Sequence, residues 1–394
     1  MHHTRAVRRS SLLGVCLLGG VLAGCETPPV VTPAGPAAAG AEPAAAPTPN
    51  DGSVTEVSGA RIVHADWAKL GYRWEWAGSP ALSRGGEAVF LDAYHDRVVV
   101  QESGSIITVL DPASGSTVWS ADLPGRASKL VGNVRVDDTL YSATETDLFE
   151  LELGTGNLIN RYALPRVVST TPAMFGQVAV FGSNVGEVIA FNRQFKLDVW
   201  RYDLEGPIET GLVAINDRTV AVVSQVGEIL FLDVPSGRAT GRNKISGGVA
   251  NNPVTDGFRL FVASEDQSVY AFDAAGGARL WRHRTSRPLE TQPVLYDNVL
   301  YYSSADEGVT ALNAENGVAK WTIKDLGNAW VVGVRDGNLL LWDGRSASLV
   351  DPEYGEVIDR VEMPGIRGLR TDKFVDGNIY AVAGRGTILK FSPR

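Results

Sequence analysis

The chain has 394 residues, with 36 Lys and Arg against 45 Asp and Glu, a formal net charge of −9, and 44% hydrophobic residues. The length is ample for a packed core, and the acidic balance argues against nucleic acid as a partner, because phosphate backbones are held by clustered cations. Only two cysteines, Cys16 and Cys25, are present, too few for a disulfide scaffold.

The N-terminus places Arg5, Arg8 and Arg9 before the apolar stretch from Leu12 to Leu22 and ends in Leu22-Ala23-Gly24-Cys25. This is the layout of an export signal over residues 1–25, too short to span a membrane comfortably. The final tetrapeptide has the lipobox pattern, in which the Cys is acylated and becomes the new N-terminus, so Cys25 is the candidate lipidation site and Cys16 is lost with the signal. Residues 26–66 read as a Pro/Ala-rich flexible tether, since 26–50 alone hold seven Pro and eight Ala. A flexible chain of about 40 residues has an r.m.s. span of roughly 35 Å. Glu26 directly after the Cys points to the outer membrane, so the expected location is a lipid anchor there with the folded domain facing the periplasm.

From residue 67 to 394 a pattern of turn, apolar run and Trp recurs about every 40 residues, the signature of stacked supersecondary units. A strand-ending position falls at Asp111, Glu152, Asn192, Asp233, Asp273, Asn313, Asp351 and Ser392, which makes eight units. Four residues later stand Gly115, Gly156, Lys196, Gly237, Gly277, Gly317 and Gly355, so all but one of these turns has the residue that tolerates positive φ. A second turn series at Asp96, Asp137, Gly176, Asp217, Asp256, Asp297, Asp336 and Asp376 gives each unit two hairpins. Runs such as Val188-Ile189-Ala190-Phe191 and Ile229-Leu230-Phe231-Leu232 are apolar on both faces and must be covered on both sides. The predicted fold is therefore all-β, an eight-bladed β-propeller of four-stranded antiparallel blades, with no sustained helical periodicity after the N-terminus.

The eighth unit stops at Arg394, before an outermost strand. Tyr72 to Ala77 is predicted to supply it and close the ring beside Thr387 to Phe391. Trp119, Trp200, Trp281 and Trp321 occupy the repeat position, and the closure assigns Trp74 as the fifth. Each is read as a packing residue, worth about 4–6 kcal/mol when fully buried.

Alternate turns of a propeller emerge on opposite faces. The Asp-rich turns share one face, which should be acidic. The loops between blades share the other, with Arg84, Arg126, Arg166, Arg287 and Arg367, and with Arg345 and Arg385 in neighbouring turns. The expectation is a ring of arginines able to hold carboxylates or an acidic partner segment, with Arg126, Arg166 and Arg287 as its candidates. Enzyme chemistry has little foothold. His64, His95 and His283 lack metal-ligand spacing, the acid pairs Glu265-Asp266 and Asp306-Glu307 sit in predicted turns, and Gly186, Gly227 and Gly308 recur as turn glycines rather than forming one phosphate loop.

Leu110-Asp111 with Gly115 and Trp119, Phe272-Asp273 with Gly277 and Trp281, and Leu312-Asn313 with Gly317 and Trp321 resemble the repeat of the quinoprotein-type (PQQ-like) propeller family over roughly residues 70–394. That family has two branches, enzymes that bind pyrroloquinoline quinone and calcium, and BamB-type lipoproteins of outer-membrane protein assembly. Lipobox, tether, a lone propeller and a chain ending inside its last blade are similar to the second branch. The resemblance implies a monomeric, non-enzymatic docking scaffold without a cofactor, whose partner is a BamA-like barrel complex or unfolded outer-membrane proteins. Its alternatives are a quinoprotein oxidoreductase and an envelope polymer binder. In the BamB-type branch an apolar-Arg-Gly segment after the third blade contacts the barrel's periplasmic domains. Here that loop reads Leu204-Glu205-Gly206-Pro207-Ile208, and a similar triplet, Ile366-Arg367-Gly368, precedes the last blade, which makes Ile366 and Arg367 candidate partner-binding residues.

Overall fold

The computed structural model describes residues 53–83, 85–123 and 129–394, and the backbone of 30–33. Eight antiparallel sheets carry the repeat, and each blade is a four-stranded meander running from the axis outward. Blade 1 comprises Ala88–Ala93, Val98–Glu102, Ile106–Leu110 and Thr117–Asp122, and the later blades follow in chain order. The second and third strands of each blade are buried nearly throughout, as in Val98–Glu102 and Glu228–Asp233. Their two-sided apolar pattern is satisfied by the neighbouring blades on either side.

The ring closes as predicted. Blade 8 is Ile366–Thr371, Ile379–Ala383, Ile388–Pro393 and, from the other end of the chain, Tyr72–Gly78, with Ile388 opposite Gly78 and Lys390 opposite Trp76. Arg335 of blade 7 clamps the junction: its guanidinium donates to the carbonyls of Gly71 (3.1 Å) and Arg394 (2.9 Å) and to Asp376 (2.8 Å).

The outer strand of every blade carries a one-residue register shift against its neighbour. In the Trp-bearing blades this β-bulge lies beside the repeat indole. Each such indole then donates to a carbonyl of the next blade: Trp119 to Leu153 (2.8 Å), Trp200 to Val234 (2.7 Å), Trp281 to Ala314 (3.0 Å) and Trp321 to Pro352 (2.9 Å). The fifth member is Trp76, which donates to Pro112 at 3.1 Å. Trp74, assigned to this position from the sequence, is buried in the same strand but donates to the carbonyl of Trp76. The bulge between Lys390 and Phe391 sets the difference, placing Trp76 opposite Lys390 as Trp119 stands opposite Val109.

Each docking indole lies against a turn glycine of the following blade. Gly156, at φ 76°, would set a Cβ 2.5 Å from Trp119, and Gly115, Gly237, Gly317 and Gly355 meet Trp76, Trp200, Trp281 and Trp321 in the same way. The exception in the turn series now has a cause. Lys196 (φ 56°) faces the blade whose repeat position is Asn160, so no indole needs the space.

The folded region begins earlier than the tether assignment of 26–66 allowed. Val54–Val57 and Ala60–Val63 form a hairpin, and His64–Lys69 a short helix that the periodicity did not reveal. Trp67 on this helix stacks on Phe391 (centroids 3.4 Å apart, planes 6° from parallel), and Ile62 and Leu70 join the core between blades 7 and 8. That seam has Asp359 in place of Trp, and the leader fills the space that an indole takes elsewhere in the ring. Further upstream, Val30–Pro33 pairs antiparallel with the outer strand of blade 1, with Val30 opposite Asp122. Among the described residues no helix is long and apolar enough to cross a membrane.

Candidate functional site

Cys25, Arg84 and Arg126 lie outside the described residues. Arg166, Arg287 and Arg367 share the predicted face, and each of these three meets a local acid. Arg166 stands 3.6 Å from Glu187, Arg287 bonds Asp306 at 2.6 Å, and Arg367 lies 3.8 Å from Glu87. Among the described residues these three do not converge on one point; they occupy the loop between blades 2 and 3, the loop between blades 5 and 6, and the start of blade 8. The opposite face has its acids in use as turn caps and ion-pair partners. Asp111 accepts from the backbone of Ala113 and Ser114, which, with the nearby charge of Arg97, outweighs burial and lowers its pKa, while Asp96 pairs with Arg135.

The loop face also exposes apolar side chains. Val167 in the loop between blades 2 and 3, Val185 in a turn of blade 3 and Val226 in the corresponding turn of blade 4 are all solvent-accessible. The loop Leu204–Ile208 sits among them, with Leu204 and Ile208 buried as anchors and Glu205 paired with Lys244.

What the structure does assemble is a groove on the inner wall of blades 6, 7, 8 and 1. The innermost strands of blades 3 to 6 are two or three residues long, as in Ala173–Phe175 and Val254–Thr255, whereas those of blades 7, 8, 1 and 2 run six or seven. Pro172, Pro253 and Pro293 precede three of the short strands and offer no N–H to the ladder. The long inner strands carry register shifts at Val332, Arg367, Val89 and Val131, and the short ones carry none. Bulges of this kind re-aim side chains, and here they turn Val89 and Arg367 outward.

Two adjoining hollows of about 290 and 480 Å³ result, with Trp330, Leu369 and Arg370 lining both. Leu91 and Leu369 form a buried apolar floor, Phe90 and Trp330 are half-exposed aromatic walls, and no atom lies within 4 Å of where a Cβ on Gly368 would stand. Among the described residues, the one hydrogen bond of the exposed Arg370 side chain goes to the carbonyl of Leu369 (3.1 Å). The nearby Asp92 carboxyl is pushed up to about 6 by burial, with the charge of Arg370 acting against the rise. Of the residues singled out from the sequence, Arg367 lines the first hollow and Ile366 lines neither, while Trp330, Phe90 and Arg370 were not singled out. The absence of the Pro from these units was the available signal. Ile366 itself is buried and positions the strand rather than facing a ligand.

Most of the chain matches one family model, described as outer membrane protein assembly factor BamB, in overlapping segments at residues 37–194, 102–240, 186–324 and 242–393. The chain belongs to the BamB family. The BamB structure from Moraxella catarrhalis is similar at 17% identity and TM-score 0.62, covering 80% of this chain and 100% of that one. The computationally designed Ika8 protein (15% identity, TM-score 0.66, 80% and 100% covered) and the C-terminal WD40 domain of Sif2 (12%, 0.60, 80% and 99%) are similar to a comparable degree, so these likenesses establish the propeller fold. No curated protein sequence matches the chain.

A quinone held through calcium would need a cluster of oxygen ligands. Among the described residues no group of three or more His, Cys, Asp or Glu could hold a metal ion, and the charged groups of the inner-wall groove are arginines set against single carboxylates. This donor set does not fit a calcium-bound quinone.

Proposed function

We propose that the protein is an exported, lipid-anchored docking scaffold that works in the assembly of outer-membrane β-barrel proteins. Cys25 carries the anchor, and the loop face meets the partner. The observation that carries this reading is the family match running from residue 37 to 393, which spans all eight blades. Support comes from the loop face itself, where Val167, Val185 and Val226 provide apolar anchors and Arg166 and Arg287 are ion-paired rather than buried, the composition of a partner-binding rim. On this reading the protein has no catalytic role and acts as a platform facing the periplasm.

Affinity capture of the full-length lipoprotein from native envelopes, followed by mass spectrometry, tests the assignment. A BamA-like barrel should co-purify in near-stoichiometric amount. Recovery of no barrel, or saturable quinone and calcium binding with dye-linked alcohol or sugar oxidation, would remove the scaffold reading.

A further inference from the structure

We propose that the inner-wall groove of blades 6, 7, 8 and 1 is a binding site for an extended acidic-apolar peptide segment, with its carboxylate held by Arg370 and its neighbouring apolar side chain laid against Trp330. The inference rests on the scaffold reading and names the chemistry of a client or partner segment.

Three independent features lead there. The first is the broken symmetry of the ring. Long, bulged inner strands occur in four consecutive blades, and three of these, together with the adjoining blade 6, surround the two hollows. Repetition alone would have made all eight inner strands alike. The second is the chemistry of the waist between the hollows. Among the described residues the exposed Arg370 side chain hydrogen-bonds only the Leu369 carbonyl, with the Asp92 carboxyl nearby, and Trp330 is a half-exposed aromatic beside it. A guanidinium recognises a carboxylate through parallel N–H donors, and an indole face takes an apolar group, so the pair selects a ligand carrying both within one or two residues.

The third feature is shape. The hollows adjoin one another around the inner wall and open to solvent, with Glu87 and Arg367 in the hollow toward blade 1 and Thr291 and Gln292 in the one toward blade 6. An elongated open trough suits an extended chain. The inner strands Trp330–Arg335 and Ile366–Thr371 are also the inner edges of their sheets, which leaves backbone groups on the axis side for a peptide to meet. Charge adds selectivity: on a chain of net charge −9 an anionic segment is repelled generally and admitted where Arg370 and Arg367 project.

The test uses the full folded protein and a fluorescein-labelled dodecapeptide of alternating Asp and Phe, read by anisotropy at low salt. Saturable binding is expected, weakened about tenfold or more by Arg370→Gln and by Trp330→Ala, and weakened less by Arg370→Lys. Arg218→Gln, exposed on the opposite face and away from the groove, should leave it unchanged, and melting temperatures check that each variant is folded. Equal binding of an alternating Lys-Phe peptide would overturn the proposal, as would an Arg370→Gln protein that binds like wild type. Displacement by free 3-phenylpropionate at the same molar concentration as unlabelled peptide would also overturn it, in favour of a small-molecule pocket. Envelope capture separates the two readings. If capture of the barrel persists while the peptide fails to bind, the groove proposal falls and the scaffold stands; peptide binding without barrel capture has the opposite meaning.

Discussion

Trp119 joins blade 1 to blade 2 with three parts: an indole donor, a flat apolar face, and a glycine that leaves room for it. The repeat tryptophans differ in burial. Trp119 is fully buried, whereas Trp200 and Trp321 are partly exposed, so Trp119→Ala should cost about 3–5 kcal/mol and Trp200→Ala clearly less, measured by urea unfolding. Equal losses would mean that burial does not set the contribution. Lys196 gives the converse test, because its left-handed backbone serves no indole; Lys196→Gly should stabilise by about 1 kcal/mol. The Asn160 seam is held instead by a polar cluster. Burial alone would raise the pKa of Glu150, but hydrogen bonds from Tyr162, Asn160 and Tyr141, with the charge of Arg193, outweigh it and hold the carboxyl below its usual range. A depressed folded pKa contributes stability that is present above the unfolded value and lost as pH falls through the folded one. Glu150→Gln should therefore lower the melting temperature at neutral pH and flatten its acid dependence. Asp92 has the opposite sign: its folded pKa is raised to about 6, so stability is lost as pH rises through that value. Asp92→Asn should raise the melting temperature at pH 8 and leave it nearly unchanged at pH 3.

At the scale of elements, the leader is the piece that the repeat could not announce. A proline-rich stretch followed by a short polar hairpin carries no 40-residue phase, and Trp67 stands outside the repeat count. Its place is explained by the seam it fills, since Asp359 leaves blades 7 and 8 without an indole dock. Closure thus depends on two ends of the chain meeting, with Trp67 on Phe391 and Arg335 reaching Gly71, Arg394 and Asp376. Arg335→Leu would leave those carbonyls without their charged donor, at a cost of about 2 kcal/mol. Hydrogen exchange should show the loss first in Tyr72–Gly78 and Ile388–Pro393 rather than in blades 3 to 5. Uniform loss of protection around the ring would show instead that closure is not a local step.

For the whole molecule, blade number, hairpins and the borrowed closing strand were all legible in sequence, because a period of Asp, Gly and Trp repeats what local turn chemistry and blade packing demand. Legibility ended where residues from different units meet. Arg166 and Arg287 looked like free loop cations until Glu187 and Asp306 were brought beside them, and Trp330 and Arg370 share a groove only because the ring is closed. The repeat supplies a symmetric platform, and function is read from its departures: apolar residues on one face, long bulged strands on one side of the axis. The central claim is that the loop face is the docking face. A photo-crosslinking amino acid placed at Val167 or Val185 on that face, and at Phe258 or Tyr354 on the opposite face, tests it directly in intact envelopes, all four positions being solvent-exposed. The account predicts adducts with a BamA-like barrel from Val167 and Val185 and none from Phe258 and Tyr354; barrel adducts only from the latter pair would contradict it.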